Sequence, residues 1–201
     1  MKKFGTAVIL AGGKSTRMGF DKQLLKINER RLIDNLRKKL SKIFDEIIVV
    51  TNKSEYYLGS TDKITKDIIV GKGPLSGIHA GLSKATSQYV YFVACDMPNI
   101  NLDYIEYMRN ELKGLKVKAC ITKYGEWIEP FNAFYSKDMI MDIEEYLMSN
   151  KRSVNSLLYK LPVHYIEEEK ARQFSSNWDM FLNLNTKEEL EDFLNAINSQ
   201  N

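Results

Sequence analysis

The densest group of residues able to do chemistry lies between Leu10 and Lys22, where the chain reads LAGGKSTRMGFDK. Gly12 and Gly13 let backbone N–H groups come close to an anion, and Lys14, Arg17 and Lys22 set cations along the same loop. Such a loop suits a phosphate. A solvated basic loop would have the same composition, so both readings stand. Two phosphate motifs fail here. Gly13-Lys14-Ser15 matches the end of a Walker A loop, but the first glycine of that motif would fall on Val8. In the pattern GxGxxG, Lys14 stands where the second glycine is needed.

Two carboxylates occupy comparable places. Asp96 follows the apolar run Tyr89 to Cys95 and precedes Met97-Pro98. A carboxylate at the end of a buried strand can hold Mg2+, which is commonly bound by one or two carboxylates plus substrate phosphates. It can equally cap a turn or a helix. Asp67, before the glycine-rich stretch 71–77, is open to the same two readings. Asn183 and Asn185 flank Leu184, and strand alternation over Met180 to Leu184 would put both amides on one face, toward a ligand; Asn185 also suits a plain turn. Lys151-Arg152-Ser153 is a basic spot before a helix, with surface charge as its default. His79 and His164 lie far apart without a partner in the sequence and read as structural. Cys95 and Cys120 lack CxxC spacing, which argues against zinc and for free buried thiols.

The elements that must position these groups alternate between strand and helix. Phe4 to Ala11 is a short continuous apolar run, as in a parallel strand covered on both faces. Leu32, Ile33, Leu36, Leu40, Ile43 and Phe44 recur at helical spacing, predicting a helix over about 30–43. Glu46 to Thr51 is a second strand, which completes a right-handed βαβ unit. Lys63 to Lys66 is a weak strand, a helix opens at Ile78 and runs to Ala85, and Tyr89 to Cys95 is the clearest central strand. A helix over 102–113 follows, then strands at 117–122 and 127–135 around Tyr124-Gly125, and a helix over 137–149. Pro162 to Ile166 and Met180 to Leu184 are further strands. Thr186-Lys187-Glu188-Glu189 reads as a capping box opening a last helix, with Leu190, Phe193, Leu194 and Ile197 inward. The expected fold class is α/β: a three-layer α/β/α sandwich, Rossmann-like, its sheet mostly parallel with antiparallel strands added in the second half.

With 201 residues, 44% hydrophobic and 27% charged, and no repeat or linker, a single domain over 1–201 is expected. The 29 Lys and Arg against 26 Asp and Glu leave a formal charge of +3, too little for non-specific nucleic-acid binding. The apolar start runs into Gly12-Gly13-Lys14 with no small-residue cleavage site before Arg17, and nothing approaches the ~20 apolar residues of a membrane span. The expected location is the cytoplasm, without membrane or nucleic-acid partners.

Four segments carry a family resemblance. LAGGKSTRMGFDK resembles the nucleotidyltransferase signature LAGGxSxRMGxxK, and Gly73-Pro74-Leu75-Ser76-Gly77-Ile78 resembles the GPLxGI segment of one branch, the molybdenum cofactor guanylyltransferases. Cys95-Asp96-Met97-Pro98 resembles that branch's CDxP element. Asn183-Leu184-Asn185-Thr186 with Glu188-Glu189-Leu190 resembles its terminal NxNTxEEL. The segments occur in order and span residues 10–190, and together they favour the phosphate reading of the loop and the ligand reading of Asp96.

The resemblance implies transfer of GMP from GTP to the terminal phosphate of molybdenum-molybdopterin, with pyrophosphate released. It implies backbone contacts to the nucleotide from Leu10, Ala11 and Gly12, with Gly13 in the same loop, and from the segment Gly73, Pro74 and Leu75. Lys22 would bind phosphates, Asp67 the guanine nucleotide, and Asp96 both nucleotide and Mg2+. Arg17, Lys22 and Asp96 form the implied catalytic set. Asn183 and Asn185 match positions on the second substrate's side, with Arg152 beside them. Implied partners are GTP, molybdenum-molybdopterin and a molybdoenzyme or cofactor-insertion protein. Two positions depart from the pattern: Val50 falls near an asparagine of some members, and Glu129 stands where relatives often carry His or Gln before a proline. The rival readings are a transferase using CTP with molybdopterin or a sugar phosphate acceptor, and a non-catalytic nucleotide- or cofactor-binding adaptor.

Overall fold

The structure is a computed structural model that describes residues 2–12, 21–27, 29–59 and 62–198. β1 (Thr6–Leu10) leads to a small antiparallel pair, β2 (Lys26–Ile27) with β3 (Arg30–Arg31), and then to α1 (Leu32–Leu40) and β4 (Glu46–Val50). β5 (Lys63–Thr65), α2 (Pro74–Lys84), β6 (Tyr89–Ala94) and α3 (Leu102–Glu111) follow. The second half contains β7 (Ala119–Tyr124), β8 (Trp127–Ser136), α4 (Ile140–Met148), α5 (Val154–Leu158), β9 (Val163–Ile166), α6 (Glu168–Arg172) and α7 (Lys187–Asn198).

The main sheet has the order β5-β4-β1-β6-β8-β7-β9. β8 alone runs against its neighbours β6 and β7, and every other pairing in the sheet is parallel. Two apolar clusters cover its faces. One gathers α1, α3 and α6 with the inner residues of α7, and the other gathers α2, α4 and α5. This is the expected three-layer α/β/α sandwich. Among the described residues no helix is long and apolar enough to cross a membrane.

The fit of α2 against the sheet depends on small residues. A Cβ on Gly81 would sit 2.7 Å from the Phe92 ring and 2.9 Å from Val8, and one on Gly77 would meet Leu10 at 3.0 Å. Missing side chains there let the helix lie directly on β1 and β6, which carries the loop before it to the carboxyl edge of the sheet.

Four expectations need correction. α2 begins at Pro74, not Ile78, because proline's fixed φ suits the first helical position and Gly73 before it takes φ 72°. Met180–Leu184 is no strand. Met180 and Phe181 are adjacent and both buried, which a pleat cannot arrange on one face, and the chain makes a 3-10 turn at Asp179–Phe181. α6 was not foreseen, since five residues are too few to display a helical period. The histidines do have partners: His79 Nε2 lies 2.8 Å from Glu144, and His164 Nε2 lies 3.0 Å from Glu111. Cys95 and Cys120 are free and buried, as expected.

Candidate active site

β1, β4 and β6 end side by side, and their carboxyl ends continue into the loops that carry the polar residues. Cys95 N–H donates to the Leu10 carbonyl at 3.0 Å and Ala11 N–H to the Val50 carbonyl at 2.9 Å, so the strand ends are tied to one another. Gly12 is exposed, and a Cβ there would meet nothing within 4 Å, which leaves open space above the backbone.

Into this edge project Lys22 and Asp96, which are 74 positions apart in sequence. Lys22 Nζ donates to Asp96 Oδ2 at 2.5 Å and to Asn185 Oδ1 at 2.8 Å. Asp96 is 8% exposed, and its backbone carbonyl accepts from Leu184 N–H at 2.9 Å. That bond ties the segment before α7 to the end of β6.

Lys22 opens a 3-10 turn, Lys22–Leu24, that is fixed from both sides. Asp21 accepts from Gln23 N–H at 3.0 Å and from Lys53 Nζ at 2.7 Å. Burial works to raise the Asp21 carboxyl, but the Lys53 and Gln23 donors outweigh it and hold the group below the usual carboxylate range. Buried Gln23 accepts from Thr51 Oγ1 at 2.7 Å and from the Tyr57 hydroxyl at 3.0 Å. The lysine therefore stands on a turn anchored to the end of β4.

Asp67 lies on the β4–β5 side of the edge. It accepts from Asn52 Nδ2 at 3.1 Å, and the space above Gly77 is bordered by Leu10, Val50 and Asp67. Asn52 is a site candidate that the sequence reading missed. The available signal was a polar side chain two residues past the buried strand β4, at the edge where open α/β sheets bind ligands.

The other expected residues divide. Gly73 and Pro74 are exposed at the start of α2, but the Leu75 side chain is 0% exposed and belongs to the core, so only its backbone can meet a ligand. Asn185 joins the Lys22–Asp96 pair. Asn183 does not share a strand face with it; its amide donates to the Phe181 carbonyl at 3.0 Å, and its own carbonyl accepts from Asn185 Nδ2 at 3.3 Å. Arg152 is exposed just before α5, on a different element from the Lys22–Asp96–Asn185 group. Gly13, Lys14 and Arg17 lie outside the described residues.

The donor set can be tested against Mg2+. Among the described residues no three acidic, histidine or cysteine side chains converge. That excludes an all-protein cage within those residues. It fits an ion held by one carboxylate and by the oxygens of a bound polyphosphate, and Asp96, beside a cation at a strand end, is such a carboxylate.

Residues 7–165 match the family model described as MobA-like NTP transferase domain. A relative from Peptoclostridium acidaminophilum is 57% identical over 197 residues, covering 96% of this chain and 89% of its own length. The molybdenum cofactor guanylyltransferase of Syntrophotalea carbinolica is 55% identical over 189 residues, covering 94% of this chain and 90% of its own. Among solved structures, molybdopterin-guanine dinucleotide biosynthesis protein A from Archaeoglobus fulgidus superposes with a TM-score of 0.82 at 26% identity, over 98% of this chain and 100% of that one.

Proposed function

The chain belongs to the MobA-like NTP transferase family, and on that premise we propose that it transfers GMP from GTP to the terminal phosphate of molybdenum-molybdopterin, releasing pyrophosphate. The observation that carries this reading is the Lys22 ammonium, held between Asp96 and Asn185 where β1 and β6 end. A phosphate monoester is largely ionised at neutral pH, so the attacking oxygen needs no general base. That oxygen bonds to the α-phosphorus of GTP while the bond from that phosphorus to the β-phosphate oxygen breaks, and the electron pair leaves with pyrophosphate.

The protein's part is then positioning and charge neutralisation. Lys22 Nζ supplies positive charge to the phosphates, and the Asp21–Lys53 and Gln23 contacts keep its turn in place. Asn52 and Asp67 hold the nucleotide on the β4–β5 side. Asn185 orients Lys22 from the side of the acceptor. Asp96 would hold Mg2+, which when bound polarises a phosphoryl oxygen as a Lewis acid.

Pyrophosphate release measured with each of the four nucleoside triphosphates, with molybdopterin supplied, tests the reading. GTP is expected to be the productive donor. Preferred turnover with CTP would replace the guanylyl assignment, and GTP binding without any pyrophosphate release would point to a carrier protein.

A further inference from the structure

One carboxylate on this edge is partly withdrawn from water and, among the described residues, has no ion pair. Glu129 lies in the part of β8 beyond its last pairing with β6, Phe92 opposite Ala133, so it overhangs the edge that carries Asp96. It is half-buried, and Oε1 accepts from the Trp178 indole N–H at 3.1 Å. Among the described residues no cation pairs with it. Burial pushes its carboxyl above the usual range, against the opposing pull of the indole. A desolvated carboxylate is costly unless donors surround it, and one neutral donor leaves most of its lone pairs unused.

Its one partner is held firmly. Trp178 takes φ 66°, rare for so bulky a side chain, and such strain persists where surroundings over-determine it. Tyr124 lies 4.9 Å and Phe181 4.6 Å from it between ring centroids, and the Arg172 guanidinium sits 5.1 Å over the indole.

The stretch 178–185 also joins this place to the phosphate site. Trp178 meets Glu129, the Met180 carbonyl accepts from Asn132, Leu184 N–H donates to Asp96, and Asn185 meets Lys22. The seven steps from residue 178 to residue 185 reach at most about 25 Å when extended, and the 3-10 turn within them shortens that. Asn52 and Asp67 lie on the far side of β1, where the proposed function puts the nucleotide. In an in-line displacement at the α-phosphorus the acceptor oxygen enters opposite the departing pyrophosphate, and with the nucleoside on the β4–β5 side the β8 side is left for the acceptor's ring.

We propose that Glu129, positioned by Trp178, recognises the ring of the acceptor, its carboxylate accepting the adjacent N2–H and N3–H of a 2-amino-4-oxo pyrimidine edge such as a pterin presents. This rests on the function proposed above. Guanine offers the same pair of donors, so the experiment must separate the two sources.

Free pterin and lumazine, which carries an oxo group in place of the 2-amino group, are titrated by fluorescence against wild type, Glu129→Gln and Trp178→Phe. Wild type is expected to bind pterin about tenfold or more tightly than lumazine, the scale of a hydrogen bond to a charged group. Glu129→Gln should reverse that order, because its amide offers one acceptor and one donor, the complement of lumazine. Trp178→Phe should narrow the preference without reversing it. In steady state, Glu129→Gln should raise the KM for molybdopterin about tenfold or more and leave the KM for GTP unchanged. A rise in the KM for GTP instead would make guanine the ligand, and an unchanged pterin preference in folded Glu129→Gln would leave Glu129 no binding role; either overturns the proposal. The titrations need no turnover, so they stand apart from the pyrophosphate assay that tests the function itself.

Discussion

The two ends of the sheet treat their carboxylates in opposite ways. At the amino end, Glu46 accepts from Thr6 Oγ1 at 2.6 Å and from Thr86 at 3.0 Å (backbone) and 2.9 Å (hydroxyl), and it pairs with Lys63. With the Thr6 proton on Glu46, the Ser87 hydroxyl donates to Thr6 Oγ1 at 2.9 Å, and Ser87 Oγ accepts from Gly5 N–H at 2.8 Å. That network satisfies itself. At the carboxyl end, among the described residues, Asp96 has one lysine, Asp67 one amide and Glu129 one indole. Burial works to raise the Glu46 carboxyl, but its Lys63, Thr6 and Thr86 donors overcome it and bring the group down to about 2, whereas the Glu129 carboxyl goes up. Polar groups that serve the fold are saturated by the protein, while those at the carboxyl edge keep acceptor capacity open.

The largest expected effect lies at the open end. Lys22→Ala and Asp96→Asn should each lower kcat/KM about 10²–10³-fold at equal folded protein, the usual cost of one preorganised charge. Lys22→Ala should also raise the KM for GTP, while Asp96→Asn should shift the Mg2+ midpoint upward. Steady-state rates against GTP and Mg2+ read the two apart. Near-normal Asp96→Asn activity at an unchanged midpoint would reduce Asp96 to a turn residue and break the contrast between the two ends.

At the closed end the same kind of change should reverse its readout. Glu46→Ala should cost about 2 kcal/mol of stability by stranding Thr6, Thr86 and Lys63, with kcat/KM within twofold of wild type. Urea denaturation beside an activity assay measures both.

Acid titration sharpens the contrast through opposite signs. Glu46 has a folded value of about 2 against 4.5 unfolded, so its stabilisation is complete above pH 4.5 and is lost as pH falls toward 2. Glu129 is raised, so its contribution is present below pH 4.5 and is lost as pH climbs through the folded value. Glu46→Gln should flatten the acid limb of a stability–pH curve, and Glu129→Gln should increase stability at neutral pH. Matching slopes for the two variants would refute the distinction.

The smallest effect is expected between the ends. Cys120 is buried in β7 away from both networks, and Cys120→Ser should leave turnover within a few-fold when assayed at equal folded protein. Lost activity in a folded variant would give that thiol a role.

Much of this was legible locally. β1 and β6 are continuous apolar runs and appear within a residue or two of the expected bounds. The capping box forms in both directions, Glu189 N–H to Thr186 Oγ1 and Thr186 N–H to Glu189 Oε2, each at 3.1 Å. Met180–Leu184 misled because its apolar residues pack on the core through a turn, so their spacing reflects the surface they cover and not a pleat. Asn52 was overlooked because nothing local distinguishes a loop asparagine from one that faces Asp67. Of the site, the cations and carboxylates were visible as residue types, but their association was not.

The sequence alone determined the inventory: which segments are buried, which turns carry glycine and charge, and which carboxylates end strands, because burial and turn chemistry are written in short-range patterns. The tertiary structure decided which of these meet. Lys22 reaches Asp96 and, 163 positions away, Asn185 because β1 pairs with β6 and the segment before α7 bonds to the end of that strand. β8 enters the sheet in the reverse direction, and that alone carries Glu129 to the edge where Asp96 stands. Strand order and direction are set by the packing of both sheet faces at once, a condition on the whole chain that no local stretch can express.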